Sequence, residues 1–462
     1  MDKSTFSALI LSLFSIFGYA QINSVGTLAG NGNPGNTNGI YGITQFNHPF
    51  GLCMSADNGQ PFSPLYVSDA DNHTIRVLYE GLSSILAGTG TAGYLDGPAL
   101  QAKFNSPADI CCDESNNIYI CDFQNQRIRK LSYTGIVTTI AGSGVAGYQD
   151  GSGDMAKFNY PRGICRDNQG NLYVGDSWNH RIRKITPDGT VTTYAGGGTI
   201  IGVGSVGGYV DGADTSARFY TPAGLSIDEN RNIFVADAYN HRIRRIDTNR
   251  IVTTVAGSGP TGNGQGGHAN GPGFTARFNT PTELWYLQGP DWPRLFVSDT
   301  YNSRIRVVFL SPDASEVVDY AGNGQAGFQN GPIWQDSVEF NFPRGITGIG
   351  GNSACGLYIA DYNNHAIRSS IWMWSGIGEI NYYGFRVKLY PNPTADFMHF
   401  EISPSIPASI ILEFYDLYGN LVREVSVGNS GIIDLSTFAQ GLYTIKFESK
   451  DQVIAIKKVL KL

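Results

Sequence analysis

Six times the chain repeats one order of residues: Phe-Asn-x-Pro, an apolar run ending in Asp, then a turn of the Asn-His-Arg-Ile-Arg kind. The clearest copy begins Phe158-Asn159-Tyr160-Pro161 and continues through Leu172-Tyr173-Val174-Gly175-Asp176 and Asn179-His180-Arg181-Ile182-Arg183. It closes with Val191-Thr192-Thr193-Tyr194-Ala195-Gly196. The leading Phe recurs at Phe46, Phe104, Phe158, Phe219, Phe278 and Phe340, at intervals of 54 to 62 residues. Repetition at this scale means one supersecondary unit copied around an axis or along a line. Each unit holds three short runs rich in β-branched and aromatic residues, and Pro-x-Gly-Ile supplies a fourth. Four short strands per unit is a propeller blade. Runs such as Ile136-Val137-Thr138-Thr139-Ile140 are apolar on both faces, as a sheet held between two neighbouring sheets must be.

The sixth unit is incomplete. After Ala366-Ile367-Arg368 no Val-Thr-Thr-x-Ala-Gly follows, and the missing run stands at the other end of the chain as Val25-Gly26-Thr27-Leu28-Ala29-Gly30. The expected architecture is all-β: a six-bladed β-propeller closed by its N-terminal strand, followed by a small C-terminal β-sandwich. Closure removes the exposed strand edges that template aggregation. An open solenoid would need polar caps instead.

The turn signature resembles the NHL repeat, named for Asn-His-Leu. Here the third position is mostly Arg, in Asn179-His180-Arg181 and Asn240-His241-Arg242. Asn72-His73-Thr74 and Asn364-His365-Ala366 are variants, and Gln126 and Ser303 replace His in the second and fifth units. The resemblance spans residues 22 to 375 and implies six blades, the number counted from the spacing.

Composition limits the partners. The formal net charge is −7, and no basic stripe exists outside the repeated Arg pairs. Some NHL propellers bind RNA through a basic face, but an exported acidic chain is a poor match for nucleic acid. The 58 glycines do not mark low complexity. Those of Asp96-Gly97, Asp150-Gly151 and Asp211-Gly212 occupy turns where positive φ favours Gly. Residues 1–20 read as a signal peptide, with Lys3 before an apolar Phe6–Tyr19 stretch and Gly18-Tyr19-Ala20 as cleavage site. No other segment is apolar enough to span a bilayer.

Six cysteines raise the question of disulfides. Cys53, Cys111 and Cys165 take the same place in three successive units, and Cys121 fills a slot held elsewhere by Ser68, Gly175, Ala236, Ser298 and Ala360. Register places Cys111 across from Tyr119 within its own unit. The expectation is small buried residues rather than a disulfide framework.

The propeller is expected over residues 21–375 and a Gly-containing join over 376–388. A tail at 389–462 then carries strand-like runs such as Ile410-Ile411-Leu412-Glu413-Phe414 and Tyr443-Thr444-Ile445-Lys446-Phe447. Short strands over this length suggest a small β-sandwich. The tail opens with Pro391-Asn392-Pro393, carries a turn at Asp416-Leu417-Tyr418-Gly419, starts a strand at Gly441-Leu442-Tyr443 and ends in Lys457, Lys458 and Lys461. This order resembles the C-terminal sorting domain of type IX secretion substrates of Bacteroidota. The resemblance implies engagement with the type IX machinery, passage across the outer membrane, and release or attachment at the cell surface.

The residues repeated in every unit are expected to serve the blade. Asp69, Asp122, Asp176, Asp237, Asp299 and Asp361 each end a strand three residues before an Asn, where carboxylate and amide hold a turn. His73, His180, His241 and His365 lie too far apart around a ring to share a metal. Arg pairs such as Arg127/Arg129 and Arg181/Arg183 face one side of a strand and suit the strand-end Asp or a neighbouring blade.

Departures from the pattern carry more information. Each inner strand begins Pro-x-Gly, with x being Phe50, Ala108, Arg162, Ala223, Thr282 and Arg344. The Gly becomes Asp109 in the second unit and Glu283 in the fifth. In a six-fold ring these two acids oppose across the channel mouth, with Arg162 and Arg344 opposed at right angles. Arg162, Arg344, Asp109, Glu283 and Phe50 are the candidate ligand-binding set. The structural alternative pairs Arg162 with Asp176 across its own blade. Longer inserts, Thr199–Gly208, Pro260–Gly271 and Pro290-Asp291-Trp292-Pro293, come second, and Trp372 and Trp374 suit edge packing.

No nucleophile–base pair and no phosphate-binding Gly loop is present, and no cofactor is called for. The function expected is a secreted or surface binding scaffold for a protein, a glycan or a small polar molecule. The alternative is a propeller enzyme, a lyase or lactone hydrolase using the same mouth, with or without a metal.

Overall fold

In the computed structural model the six repeats form six antiparallel sheets. Their inner strands are Pro49–Met54, Pro107–Cys112, Pro161–Arg166, Pro222–Ile227, Pro281–Leu287 and Pro343–Gly350. The structure describes residues 24–55, 63–198, 200–201, 204–288, 293–311, 315–333, 337–350, 354–373, 386–390, 397–403, 410–415, 421–438, 441–449 and 452–461. The signal peptide at 1–20, Pro391-Asn392-Pro393, the turn at 416–419, Trp374 and most of the 376–388 join lie outside these residues, as does Pro290-Asp291-Trp292.

Blade 3 shows the plan. From the axis outward run Pro161–Arg166, Leu172–Asp176, Arg181–Ile185 and Val191–Ala195. Alternate side chains serve opposite neighbours, as the two-residue strand period dictates. Val174, Ile185 and Val191 pack with Ala108 and Ile128 of blade 2. Cys165, Tyr173 and Ile182 pack with Leu225 and Val235 of blade 4. The leading Phe of every repeat is fully buried between blades, each burial worth about 1.5–3 kcal/mol.

Five blades also carry a two-residue fifth strand on the outer edge, beyond the four expected. Gly97–Pro98, for example, pairs with Ile136–Ala141. In blade 3 a single bridge, Gly151 to Val191, stands in its place. These strands come from the Asp-Gly and Asn-Gly segments, so the turns also cover the outer edge.

The N-terminal strand closes the ring as expected. Ser24–Ala29 runs antiparallel to Ala366–Met373, pairing Val25 with Ser370 and Thr27 with Arg368. Gly30 then takes φ +102°, and a Cβ there would come within 2.7 Å of His365 O. Gly88 stands in the same relation to His73 O, at 2.6 Å, and Gly257 to His241 O, at 2.5 Å. This matching crowding shows that residues 24–30 are the fourth strand of blade 6.

Repeated polar groups fix the turns around the mouth. Asp176 Oδ1 accepts from Asn159 N–H (2.7 Å), and Oδ2 accepts from Asn179 Nδ2 (2.8 Å) and Arg183 (2.7 Å). The other five blades repeat the Arg–Asp pair at 2.5 to 3.0 Å, with both side chains fully buried. The histidines join blades: Nδ1 of His73, His180, His241 and His365 each accepts a backbone N–H from the next blade. In blade 2, Gln126 Oε1 does the same for Tyr160 N–H, so the departure from His keeps the acceptor.

The cysteine expectation needs correction. Cys53 and Cys112 form a disulfide between blades 1 and 2. Cys111, Cys121 and Cys165 are free, and Cys111 faces Tyr119 as expected. Equivalent positions such as Cys53 and Cys111 point the same way around the ring and cannot meet. The residue one further along points back toward the previous blade, and there Cys112 reaches Cys53.

The chain divides into two compact units, the second comprising Trp372–Leu462 with Gly350–Cys355. The tail forms a three-stranded and a four-stranded sheet. Alternating Ile410, Leu412 and Phe414 share a core with Met398, Phe400, Ile445 and Phe447, the expected β-sandwich. Tyr443 is buried against Phe438, ring centroids 4.9 Å apart. Lys457, Lys458 and Lys461 lie on the last strand, opposite Ile445, Thr444 and Gly441.

Candidate functional site

The inner strands begin side by side at one end of the propeller, next to the Asp-ended turns. The first five have a register break just after the Pro, as between Pro161 and Ile164 and between Pro49 and Leu52. Such a bulge turns one residue out of the ladder and re-aims its side chain. The residues after the Pro are Phe50, Ala108, Arg162, Ala223 and Thr282, with Arg344 at the same position of the sixth strand. Ala108, Ala223 and Thr282 are short and buried, so the long side chains have the centre of the mouth.

Arg162 and Arg344 converge there. Their guanidinium carbons lie 5.2 and 4.9 Å from the centroid of the Phe50 ring. Arg344 also stacks on Tyr362 at 4.2 Å, and Tyr362 meets Phe50 edge-on at 6.0 Å. The pairing of Arg162 with Asp176 does not occur. The bulge places Pro161 opposite Asp176, and Asp176 is taken by Arg183 at 2.7 Å. Among the described residues neither Arg162 nor Arg344 has an acidic partner within 4 Å. Burial lowers both pKa values, and the proximity of Arg162 helps bring Arg344 down to about 9.

The two acids sit in the channel wall. Asp109 Oδ2 accepts from Ile164 N–H of the next blade at 2.9 Å. Glu283 Oε1 accepts from its neighbour Leu284 N–H at 3.1 Å and lies against Gly224, where no Cβ would fit. Both acids are buried. Burial pushes the Asp109 carboxyl up to about 7, and burial with the Asp109 charge pushes Glu283 well above the usual carboxylate range. The arrangement thus joins Arg162, Arg344 and Phe50 at the centre, with Asp109 and Glu283 electrostatically linked beside them. Among the described residues no three His, Cys, Asp or Glu side chains are grouped to hold a metal ion.

The Asp109 shift makes a testable claim. Its folded pKa lies above the ordinary 3.8. The folded chain therefore keeps a proton that the unfolded chain loses between about pH 4 and about pH 7. That contribution to stability is complete below the unfolded pKa and is lost as pH rises through the folded one. Asp109→Asn keeps an acceptor for Ile164 N–H. It is expected to match the parent near pH 4 and exceed it near pH 8, the gap opening by up to about 1.4 kcal/mol per pH unit. Urea midpoints across that range measure it; a gap independent of pH would refute it.

Sequence reasoning passed over an aromatic rim. Between the constant Asp and Asn of each turn stand two variable residues, and five of six turns place an aromatic there: Phe123, Trp178, Tyr239, Tyr301 and Tyr362. Trp178 packs on Tyr160 (5.2 Å) and Tyr301 on Phe342 (4.8 Å). Trp178 and Tyr301 remain 58% and 48% exposed. Variation inside a constant frame was the available signal. Two inserts reach the same rim: Gly262 N–H donates to Tyr239 O at 2.6 Å, and Gly204–Ser205 lies against the Ser177–Asn179 turn. A separate cleft of about 300 Å³ lies between blades 3 and 4 at the hairpin end, lined by Tyr173, Arg231 and Arg250. Two of its polar groups are engaged locally, Arg250 by Asp214 and Tyr173 by Asp167.

Fold and composition together define the class: a six-bladed NHL-repeat propeller followed by a type IX secretion system C-terminal sorting domain. Residues 104–131, 158–185 and 219–246 match the NHL repeat, and residues 388–461 match the secretion system C-terminal sorting domain. That domain marks the chain for secretion or surface attachment. Among curated proteins, the chain is 30% identical over 336 residues to NHL repeat-containing protein 2 of Bos taurus, covering 66% of this chain and 44% of that protein. It is 33% identical over 243 residues to Protein SUPPRESSOR OF QUENCHING 1, chloroplastic, of Arabidopsis thaliana, covering 49% and 22%. The chain therefore spans less than half the length of these relatives. Among solved structures, an auxiliary nutrient binding protein from Bacteroides thetaiotaomicron shares the fold with a TM-score of 0.54 at 18% identity, covering 75% of this chain and 76% of that one. Among the described residues no helix is long and apolar enough to cross a membrane.

Proposed function

We propose that this is an exported or surface-displayed binding protein, delivered by residues 1–20 and the sorting domain, whose ligand docks on the mouth that Phe50, Arg162 and Arg344 form. One observation carries the reading: two arginines meet over one ring with no acid to neutralise them. Half-buried cations without partners cost stability, and binding sites are where such costs are kept. The exposed aromatics around them supply large rigid contact area, and loops of several blades converge there. The relative described as a nutrient binding protein bears that name for its own ligand; here it adds a precedent for binding on this fold.

A glycan array probed with the full chain tests the proposal. Arg162→Ala/Arg344→Ala is expected to lose at least about tenfold in apparent affinity while melting stays within about 2 °C of the parent. A large fall in melting with binding unchanged would make the arginines structural. The enzymatic alternative draws on Asp109, poised near neutrality in the channel wall. Turnover of a bound glycan, lost in Asp109→Asn with affinity retained, would favour it.

A further inference from the structure

We propose that the mouth is built for an oxyanion, a carboxylate or a sulfate or phosphate ester, held between Arg162 and Arg344 against the face of Phe50. This rests on the mouth-binding reading and specifies its chemistry.

The argument is a comparison between arginines of one molecule. Arg183 bonds to Asp176, Asp150 and the carbonyls of Lys157 and Gln149. Arg244 repeats that set with Asp237, Asp211, Arg218 O and Val210 O. Such forks are satisfied within the blade. Arg162 and Arg344 donate no side-chain hydrogen bond to any described residue. Both are nevertheless drawn toward the same ring, where like charges repel.

The neighbouring acids do not cancel them. Glu283 acts electrostatically on Arg162 but holds its proton well above the usual carboxylate range and accepts from Leu284 N–H. Asp71 acts on Arg344 but is bonded to His48 Nδ1 at 2.7 Å. The two guanidinium groups therefore meet at the mouth with neither acid bonded to them, on a chain of net charge −7. Two planar guanidinium groups with free donors match the paired oxygens of a carboxylate, sulfate or phosphate. Phe50 against both arginines and Tyr362 against Arg344, with Trp178 and Tyr301 at the rim, suit a carrier with a ring face, as in a sugar acid or sugar ester.

Calorimetry on the full-length chain at neutral pH and constant ionic strength tests this. The probes are glucuronate, glucose 6-sulfate, glucose 6-phosphate, inorganic sulfate and phosphate, and neutral glucose. The proteins are the parent, Arg162→Gln/Arg344→Gln, and the rim variant Trp178→Ala/Tyr301→Ala. At least one charged sugar is expected to bind about tenfold or more tighter than glucose, and the arginine variant to lose about a hundredfold of that affinity. Inorganic ions binding as well as the sugar esters would assign recognition to the anion alone; tighter sugar esters would add the ring. Glucose binding as tightly as the charged sugars, and weakened about tenfold in both variants, would overturn the oxyanion and leave the mouth reading intact. Binding indifferent to both variants would overturn both. Failure of every anionic probe to bind would overturn the oxyanion alone.

Discussion

Deleting residues 24–30 is expected to abolish the folded propeller. That segment is blade 6's fourth strand, between Ala366–Met373 and the short edge strand Gly331–Pro332. It contributes buried Val25 and Ala29, a ladder to Ala366–Met373, and a second ladder to Gly331–Pro332. Thr27 Oγ1 also meets Asn330 Oδ1 at 3.2 Å, and Asn330 in turn accepts from Arg368 at 2.7 Å. Removal strips a central strand, leaves Ala366–Met373 an open edge and uncovers Ile367. The loss should approach the whole net stability of a domain, about 5–15 kcal/mol, and the open edge should promote aggregation. Size-exclusion chromatography and thermal melts of the deletion read this directly. A synthetic peptide of residues 24–31 added in trans should restore a melting transition by strand addition. Val25→Asp should show a milder version through a buried unpaired charge. A monodisperse deletion variant melting like the parent would mean that the ring is stable while open.

What the sequence discloses here, and what it hides, follows from symmetry. A residue needed six times announces its role by recurring. Asp176 with Asn179 and Arg183, the leading Phe158, and the Ala-Gly ending that identifies Ala29-Gly30 as a misplaced strand could all be read before any coordinates. Features that break symmetry, or depend on which way a residue faces, were harder. Register counting assumed an unbroken ladder and gave Arg162 to Asp176; one bulge after Pro161 turned Arg162 to the mouth and left Asp176 to Arg183. Aligning Cys53 with Cys111 drew attention from Cys112, the neighbour that faces backward and forms the bridge. The acids and arginines of the mouth were found because they replaced Gly or Ala in a fixed frame. Trp178, Tyr239 and Tyr301 obey the same logic in the turns, but lie between Asp and Asn residues whose recurrence is the stronger signal.

Arg183→Met and Arg162→Met should have opposite consequences, although both remove a guanidinium from the same blade. Met keeps most of the apolar stem and discards the charge and donors. At position 183 this leaves Asp176 buried, with two carbonyls and Asp150 also deprived. Breaking a buried pair from one side costs about 3–5 kcal/mol, so the urea midpoint should fall steeply. At position 162 the side chain gives up a contact with Phe50 at 5.2 Å and no ion pair. An unneutralised cation leaves a site where burial already disfavours it, and its repulsion of Arg344 goes with it. Stability should hold or rise, within about 1 kcal/mol. The gain should be smaller when Arg344→Met is already present, because the repulsion can be relieved only once. Equal destabilisation by the two substitutions would show that Arg162 supports the blade as Arg183 does, and the mouth would lose the uncompensated charge on which its proposed chemistry depends.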